Sequence, residues 1–518
     1  MNETNKDKLF VSETIEAASL HETCQCQRPA DPCAIIILGA SGDLTFRKLI
    51  PALYRLYKHD YMPGSFVVVG AARTDFTSSD FKDSLKNNLA ELDDMDMSQW
   101  QAFEQHLFYQ PIAYNSLESF RALSDTVTSL DARHGLAGNR MFYLALPPFL
   151  YETAVSNMGN AGMASETSEE KIWSRIIVEK PFGTNLETSV VLNNLLQGKF
   201  KEHQIYRIDH YLAKETVQNI LFFRFANAIF EPIWNRQYID YIDICAAETI
   251  GVEHRAGYYE KAGVIRDMFQ NHILQLLALI GMEPPALFAP EMVRDEKAKF
   301  LRCLRPFERG EMHKNIVLGQ YTKGHMGGKD VPAYREENGV DPHSLVPTYA
   351  RMRVFADNWR WHGVPFYLMS GKRLAEKATR IHIQFRSVPH SIFGNVIREP
   401  IAPNRLTFMI QPNEKISLTF QAKNPGATIC PRAINMDFNY EADRGQVLEA
   451  YEKVLIDCMN GDQMLFLRQD SEELCWMFLT PLIEDCERCL KKGELLRLYA
   501  AGAWGPTDTP CDWPVCVT

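Results

Sequence analysis

The run Ala34-Ile35-Ile36-Ile37-Leu38 constrains this chain more than any other stretch, because none of its positions is polar. A strand with one wet face alternates polar and apolar residues. A strand that is apolar throughout, and rich in β-branched residues, is one covered on both faces, as in a parallel sheet flanked by helices. The run is followed at once by Gly39-Ala40-Ser41-Gly42-Asp43-Leu44, and then by Leu49, Leu53 and Leu56 at helical spacing. A second apolar run, Phe66-Val67-Val68-Val69-Gly70, begins about 30 residues after the first and completes a strand–helix–strand unit. Further strands are expected at Met141 to Leu146, Arg175 to Glu179 and Gln204 to Ile208, with helical patterns between them. Such alternation predicts a doubly wound α/β domain over residues 33–208.

Beyond Asp209 the texture changes. Long helix-like segments, Glu215 to Ile229 and Val264 to Ile280, are accompanied by strand-like runs with few helices between them: Tyr241 to Glu248, Arg351 to Phe355, Arg380 to Phe385, Arg405 to Gln411 and Lys415 to Ala422. Strands without crossover helices predict an α+β domain with a large, mainly antiparallel sheet over residues 209–518. Residues 308–348, rich in Gly, His and charge, read as a long surface connection, and residues 1–32 as a polar leader.

Composition narrows the function. Hydrophobic residues make up 46% of the 518, enough for ample core. The 55 basic and 65 acidic residues leave a net charge of −10, which argues against a nucleic-acid-coating protein. No stretch approaches the roughly 18 uninterrupted apolar residues of a membrane span; the richest, Ile273 to Met282, contains Gln275 and reads as a buried helix. The N-terminus has no basic flank followed by an apolar block, so no secretory signal is expected. Twelve cysteines are too few for a disulfide-stapled scaffold, and the close pairs Cys24-Gln-Cys26 and Cys486-Glu-Arg-Cys489 lack the further pair or histidines that a metal site needs. A cytoplasmic protein with no metal is expected.

The turn Gly39-x-x-Gly42 lies between a buried strand and a helix. Glycines there let the backbone approach a pyrophosphate, and the helix start supplies free N–H groups and a positive dipole end. The spacing is not the full G-x-G-x-x-G; the strand and helix around it carry the dinucleotide-binding, Rossmann-type reading. Arg73 selects the nucleotide. It follows the second strand, where an NAD-selective site places an acidic residue on the ribose hydroxyls. A guanidinium instead suits a 2′-phosphate, so NADP is expected over NAD.

The second constellation is Arg207-Ile208-Asp209-His210-Tyr211-Leu212-Ala213-Lys214-Glu215. In a helix, His210 and Lys214 would share a face and, with the Tyr211 hydroxyl, offer a phosphate three kinds of donor. Here the chain resembles the glucose-6-phosphate dehydrogenase family, whose signature this segment matches except for Ala213 in place of glycine. The resemblance extends to Gly39-Ala-Ser-Gly-Asp-Leu44, Glu179-Lys-Pro-Phe-Gly183, Arg224-Phe-Ala-Asn227, Pro232-Ile-Trp-Asn-Arg236, Gly257-Tyr-Tyr259, Arg266-Asp267, Gln270-Asn-His272, Val364-Pro-Phe366, Gly371-Lys372 and Gln411-Pro-Asn-Glu414, in order over residues 34 to 500.

The resemblance implies oxidation of C1 of D-glucose 6-phosphate to 6-phospho-D-glucono-1,5-lactone with hydride transfer to NADP, the first step of the oxidative pentose phosphate pathway. It implies His272 as general base and Asp209 as the carboxylate that holds its imidazolium. His210, Tyr211 and Lys214 are implied at the 6-phosphate. Lys180, before a proline that is cis in the family, is implied between sugar and coenzyme. Glu248, Asp267, Lys372, Lys377 and Gln411 are implied in the rest of the sugar pocket, and Gly39, Ser41, Gly42, Asp43, Leu44, Arg73 and Tyr151 at the coenzyme. The second domain is implied to carry assembly into a homodimer or homotetramer.

Two residues fit this transfer awkwardly. On an ideal α-helix, Asp267 lies about 140° around from His272, so both face one site only if Asp267 stands at the helix start. Ala213 is strained if its backbone requires positive φ. Some members hold a second, structural NADP through basic residues. The matching positions here include His382 and Met409, and the tail reads Trp504-Gly-Pro … Cys511-Asp-Trp-Pro-Val-Cys516, so no structural NADP is expected. Two rival classes are another two-domain sugar dehydrogenase and a non-catalytic NADP-binding sensor. The first lacks the Asp209 segment and the His272 helix; the second should have lost Asp209, Lys180 or His272.

Overall fold

The computed structural model describes residues 30–89, 96–167, 171–308, 310, 312–397, 400–426, 429–439, 448–491, 495–508, 510 and 513–514. Cys24, Cys26 and nearly all of the 1–32 leader lie outside the described residues.

Strands β1 (Cys33–Leu38), β2 (Phe66–Ala72), β3 (Leu107–Pro111), β4 (Arg140–Leu144), β5 (Ser174–Val178) and β6 (Ile205–Arg207) form one sheet in the order β3-β2-β1-β4-β5-β6. Every pair in it is parallel. Between the strands run α1 (Ile50–Lys58), α2 (Ser78–Leu89), α3 (Met97–Phe103), α4 (Leu117–His134), α5 (Tyr151–Asn160) and α6 (Leu186–Gln197). The apolar run of β1 is buried at every position because alternate residues enter different cores. Ala34, Ile36 and Leu38 pack on one face, and Cys33, Ile35 and Ile37 on the other. The strand order reverses between β1 and β4, which opens a crevice beyond the carboxyl ends of the strands.

The second half contains α7 (Glu215–Phe225), β7 (Ile239–Ala247), α8 (Ala256–Val264), a π-helix (Ile265–Ile273), α9 (Leu274–Gly281) and α10 (Pro290–Arg302). Then follow β8 (Ile316–Thr322), β9 (Gly324–Met326), β10 (Lys329–Val331), β11 (Tyr349–Val354), β12 (Phe366–Gly371), β13 (Ala378–Phe385), β14 (Arg405–Gln411), β15 (Lys415–Lys423), β16 (Pro431–Asn439), α11 (Ala450–Asn460), α12 (Gln469–Lys491) and β17 (Leu496–Ala500). The large sheet has nine strands in the order β16-β15-β14-β13-β7-β12-β11-β8-β17. Only the β7–β12 and β8–β17 pairs are parallel, so the sheet is mixed and mostly antiparallel.

The reading of 308–348 as a surface connection is corrected here. Ile316-Val-Leu-Gly-Gln-Tyr-Thr322 is β8, buried between β11 and β17, and β9 and β10 form a hairpin just after it. Flanking glycines, histidines and charges mask its short apolar signal. α7 also stops at Phe225, short of Ile229.

Residues far apart in sequence cover the first sheet. Val454, Leu455 and Ile456 of α11 join the core that contains Cys33, Ile35 and Ile37. Arg55 of α1 binds Glu452 and, at 2.8 Å, Glu449. At the other end of α11, Arg175 donates to the Cys458 and Met459 carbonyls at 2.7 and 2.6 Å. Among the described residues no helix is long and apolar enough to cross a membrane.

Candidate active site

The sequence-predicted residues gather where the parallel strands end. Arg73 follows β2, Lys180 follows β5 and Asp209 follows β6, all at carboxyl ends. The π-helix of the second half closes this edge and brings His272 onto Asp209. His272 Nδ1 stands 2.5 Å from Asp209 Oδ1, and His272 Nε2 stands 2.9 Å from Lys180 Nζ. A carboxylate only accepts hydrogen bonds, so Asp209 holds the imidazole proton on Nδ1. The Nε2 lone pair is left to accept from Lys180. The Tyr211 ring stacks on the imidazole at 4.2 Å, and His210 meets it edge-on at 4.7 Å.

Local structure removes the conflict between Asp267 and His272. Both lie in the π-helix, whose N–H groups bond five residues back, so residues five apart fall near one face. Asp267 also stands in the first turn of this helix, just after the break at Gly263, as the sequence requires. Its Oδ1 lies 3.6 Å from Lys180 Nζ and 3.7 Å from the Arg255 guanidinium, and accepts from Tyr258 Oη at 3.4 Å. Gly263, just before the π-helix, has φ +59°, a bend that L side chains rarely adopt.

Lys180 is held from behind. The Glu179 carboxylate accepts from the Tyr143 and Tyr451 hydroxyls at 2.6 and 3.3 Å, and the Glu179 carbonyl accepts from Tyr151 at 3.1 Å. The Lys180–Pro181 peptide is cis. Tyr151, expected at the coenzyme, is buried and spends its hydroxyl on this anchor.

Electrostatics set the resting charges. Burial pushes the Asp209 carboxyl up, but the neighbouring His272, its hydrogen bond and His210 outweigh burial and hold it at about 2. Burial, together with the Lys180 cation, lowers His272 against the pull of Asp209. The pair thus rests as a carboxylate and a neutral imidazole, the state a general base requires. Burial also drives His210 well below the usual imidazole range, with His272, Lys180 and Lys214 adding to it.

Lys214 is not on a helix with His210, as expected from the sequence. Residues 210–214 form turns, with Leu212 N bonded to the Asp209 carbonyl, and α7 begins at Glu215. The turns still deliver both side chains to one place. The Lys214 ammonium stands 4.4 Å above the Tyr211 ring, and its Nζ is buried without a hydrogen-bond partner. Burial lowers it to about 8, with Lys377 repelling it and Glu414 attracting it. A buried, unpartnered cation beside a second lysine is a fitted anion site. Ala213 has no positive φ, so its methyl is unstrained.

Further around the pocket, Lys372 binds Glu248 at 2.6 Å and lies 5.2 Å from the Tyr259 ring centre. Gln411 accepts from Thr379 at 3.5 Å, while Lys377 is exposed at the rim. Tyr258, Arg255, Thr379 and Glu414 were not assigned from sequence. Tyr258 and Glu414 belong to quoted motifs, but Arg255 and Thr379 enter only because strands and turns distant in sequence converge.

The side expected from the sequence to take the coenzyme is more open. Gly39 has φ +93°, and a Cβ there would stand 2.1 Å from the Ala145 carbonyl oxygen, so only glycine makes this turn. The turn closes with Gly42 N on the Gly39 carbonyl at 2.9 Å and leads into the helical stretch through α1, an N-terminus fitted to a pyrophosphate. Thr74 Oγ1 lies 2.9 Å from Ser41 Oγ, and exposed Asp43 pairs with Arg47 at 2.7 Å. Leu44 packs partly against the core containing Ile35 and Ile37. Arg73 is exposed and lines a cleft of about 680 Å³ with Asp75, Tyr114 and Thr153.

Known proteins share this plan. The family descriptions "Glucose-6-phosphate dehydrogenase, NAD binding domain" and "Glucose-6-phosphate dehydrogenase, C-terminal domain" match residues 36–219 and 221–510. The glucose-6-phosphate 1-dehydrogenase of Aggregatibacter actinomycetemcomitans is 44% identical over 479 residues, which cover 92% of this chain and 95% of that one. That of Bacillus subtilis (strain 168) is 39% identical over 477 residues, covering 92% and 95%. The solved structure of a glucose-6-phosphate dehydrogenase in complex with its substrate glucose-6-phosphate superposes with a TM-score of 0.85. It is 34% identical and covers 93% of this chain and 97% of that one.

Proposed function

The chain belongs to the glucose-6-phosphate dehydrogenase family, and from that premise we propose how its own residues carry the reaction. The protein is an oxidoreductase that converts D-glucose 6-phosphate to 6-phospho-D-glucono-1,5-lactone with a nicotinamide dinucleotide. His272 is the general base: its Nε2 lone pair takes the C1 hydroxyl proton as the hydroxyl displaces the Lys180 ammonium from it. Asp209 fixes the tautomer and stabilises the imidazolium that forms. Lys180, freed toward the sugar, donates to it and orients C1. A bound nicotinamide dinucleotide would supply the acceptor for the hydride that leaves C1.

His210, Tyr211 and Lys214 hold the 6-phosphate, with Lys377 at its rim. Asp267, Glu248, Lys372 and Gln411 accept from and donate to the sugar hydroxyls. Gly39, Ser41, Gly42, Asp43 and Leu44 form the pyrophosphate turn. Arg73 grips a 2′-phosphate, so the coenzyme is NADP in preference to NAD. Tyr151 serves the coenzyme side indirectly, by anchoring residue 179. A single coenzyme is bound, a reading supported by His382, bonded to Thr407 at 2.8 Å, and Met409, neither of them a lysine or an arginine. The protein works as a homodimer or homotetramer in the cytoplasm. Exposed Met436 and Phe438 on β16, an edge strand of the large sheet, support assembly through that sheet.

The observation that carries the reading is His272 poised between Asp209 and Lys180. Nicotinamide reduction is measured with glucose 6-phosphate and either NADP or NAD, for the wild type and for His272→Asn. Turnover that needs the phosphorylated sugar, favours NADP and collapses in the variant is expected. A variant keeping more than about a tenth of wild-type kcat would remove His272 from the role of base.

A further inference from the structure

The loop after β2 carries two opposite charges where the choice of a nucleotide needs one. Arg73 and Asp75 are both exposed, and both line the cleft that also contains Tyr114 and Thr153. Thr74, between them, is tied down through its side chain and its backbone. Its hydroxyl donates to Ser41 Oγ of the glycine turn at 2.9 Å. Its carbonyl accepts from Tyr109 Oη at 2.7 Å and from Phe76 N at 3.0 Å. Residues 73–75 are thereby held against the turn, and both charged side chains are carried to one cleft by anchored backbone. The fold makes no other use of the Asp75 carboxylate. Helix α2 is capped without it: Asp80 Oδ2 accepts from Thr77 N at 2.9 Å, and Thr77 Oγ1 accepts from Asp80 N at 3.1 Å. Among the described residues Asp75 makes no hydrogen bond and no ion pair, with Arg73 or with any other. An exposed acid is usually left to solvent. This one shares a cleft with the cation expected to take a 2′-phosphate, so a phosphate brought to Arg73 is brought to Asp75 as well.

We propose that Asp75 is a specificity-determining residue that works against Arg73: its carboxylate repels a 2′-phosphate and accepts from the hydroxyls of an unphosphorylated ribose, which makes NAD a usable second coenzyme. This rests on the reading of the cleft beside the glycine turn as the coenzyme site. The two side chains tell the nucleotides apart by different chemistry. A guanidinium donates to phosphate oxygens and has nothing with which to accept. A carboxylate only accepts, so it can hold ribose hydroxyls, the role an acidic residue has in NAD-selective sites. Toward a phosphate monoester, which carries about −1.5 to −2 charges at neutral pH, it offers only repulsion. Both side chains stand in water, so the repulsion is screened and modest. Selectivity for NADP is then the difference between two opposed charges and not the work of Arg73 alone.

The test is steady-state kinetics at saturating glucose 6-phosphate, with NADP or NAD varied, for the wild type, Asp75→Asn and Arg73→Ala. Asp75→Asn keeps the shape of the side chain and removes its charge. It is expected to raise kcat/KM for NADP about threefold and to lower it for NAD about threefold, so that the NADP/NAD ratio widens by about tenfold. Salt separates the two halves of that change. The gain with NADP is long-range repulsion removed, and it should fade by about 0.5 M salt, whereas the loss with NAD is a contact and should persist. A ratio that does not widen overturns the proposal. So does an equal loss with both coenzymes, which is what a merely structural residue would give. Arg73→Ala keeps this failure distinct from failure of the underlying reading. If Arg73→Ala lowers the ratio while Asp75→Asn leaves it in place, the cleft holds the coenzyme and the Asp75 assignment is wrong. If neither variant moves the ratio, the 2′ position is read elsewhere and both assignments fall.

Discussion

The two sides of the crevice are built on opposite principles. On the sugar side, His272, Asp209 and Asp267 are almost wholly buried and wired to one another and to Lys180 by short contacts. On the coenzyme side, Arg73 and Asp43 are exposed, and the backbone turn at Gly39 is the main constraint among the described residues. Burial makes charges strong and geometry stiff, because water no longer screens or replaces them. Exposure makes them weaker and easier to exchange. On the proposed reading chemistry is decided on the sugar side, and one nucleotide is chosen over another on the coenzyme side. Substitutions on the first should change turnover, and those on the second should change affinity and selectivity.

The largest test of that contrast lies at the dyad. His272→Asn is expected to reduce kcat by about 10²–10⁴ while both substrates still bind. Asp209→Asn should do nearly the same, and the double variant should be little worse than either alone, because the pair acts as one unit. Steady-state kinetics of the three variants decide this. Additive losses would mean two independent roles and a less unified sugar side.

Lys214→Ala probes the same side one step out. Its ammonium makes no hydrogen bond within the protein, so the loss should fall on the 6-phosphate. The ratio of kcat/KM for glucose 6-phosphate to that for free glucose should narrow by about 10²-fold. Equal losses on both sugars would assign Lys214 to supporting the Asp209 turn instead.

Arg73→Ala should weaken NADP by roughly 10- to 150-fold, the range for a lost charge-assisted hydrogen bond, and leave kinetics with NAD almost unmoved. Parallel losses with both coenzymes would make Arg73 structural and dissolve the contrast between the two sides.

The smallest effect is one of pH. Lys214 is charged below about 8, so KM for glucose 6-phosphate should rise above that pH, by at most about tenfold per unit. KM for NADP should stay flat over the same range, because an arginine does not titrate there. At the acid end, His272 is lowered below the ordinary imidazole value, and the group must be neutral to act. The acid limb of kcat/KM should therefore lie below about pH 6.5. A limb at or above that pH would mean the imidazole is not the buried, Lys180-facing group described here.

Much of this was legible in the residues alone. The uninterrupted apolar run of β1 required burial on both faces, and the glycine turn after it announced a nucleotide-binding helix start. Those signals are local: a pleated strand alternates faces, and a tight turn needs a residue without a side chain. The segment around Asp209 and the Gln270-Asn-His272 triplet were equally plain as text. Three things were not. β8 was hidden because its seven residues lie within a polar, glycine-rich stretch, and only pairing with β11 and β17 makes them a strand. Lys214 reaches the pocket by turns and not by helical spacing, since the fold of residues 209–214 is set by the bonds of Asp209 and Tyr211. The shared face of Asp267 and His272 depends on a π-helix, and a helical period read from sequence is that of the α-helix.

Sequence by itself determined which groups are available and where the backbone must turn, because those depend on neighbours a few residues away. Tertiary structure alone decided what the groups are charged to do. His272 would be an ordinary core histidine of an apolar helix were Asp209 not 2.5 Å from one nitrogen and Lys180 2.9 Å from the other. Those partners lie 63 and 92 residues away, and the electrostatic energy of a buried group is set by distance in space, which no spacing along the chain records.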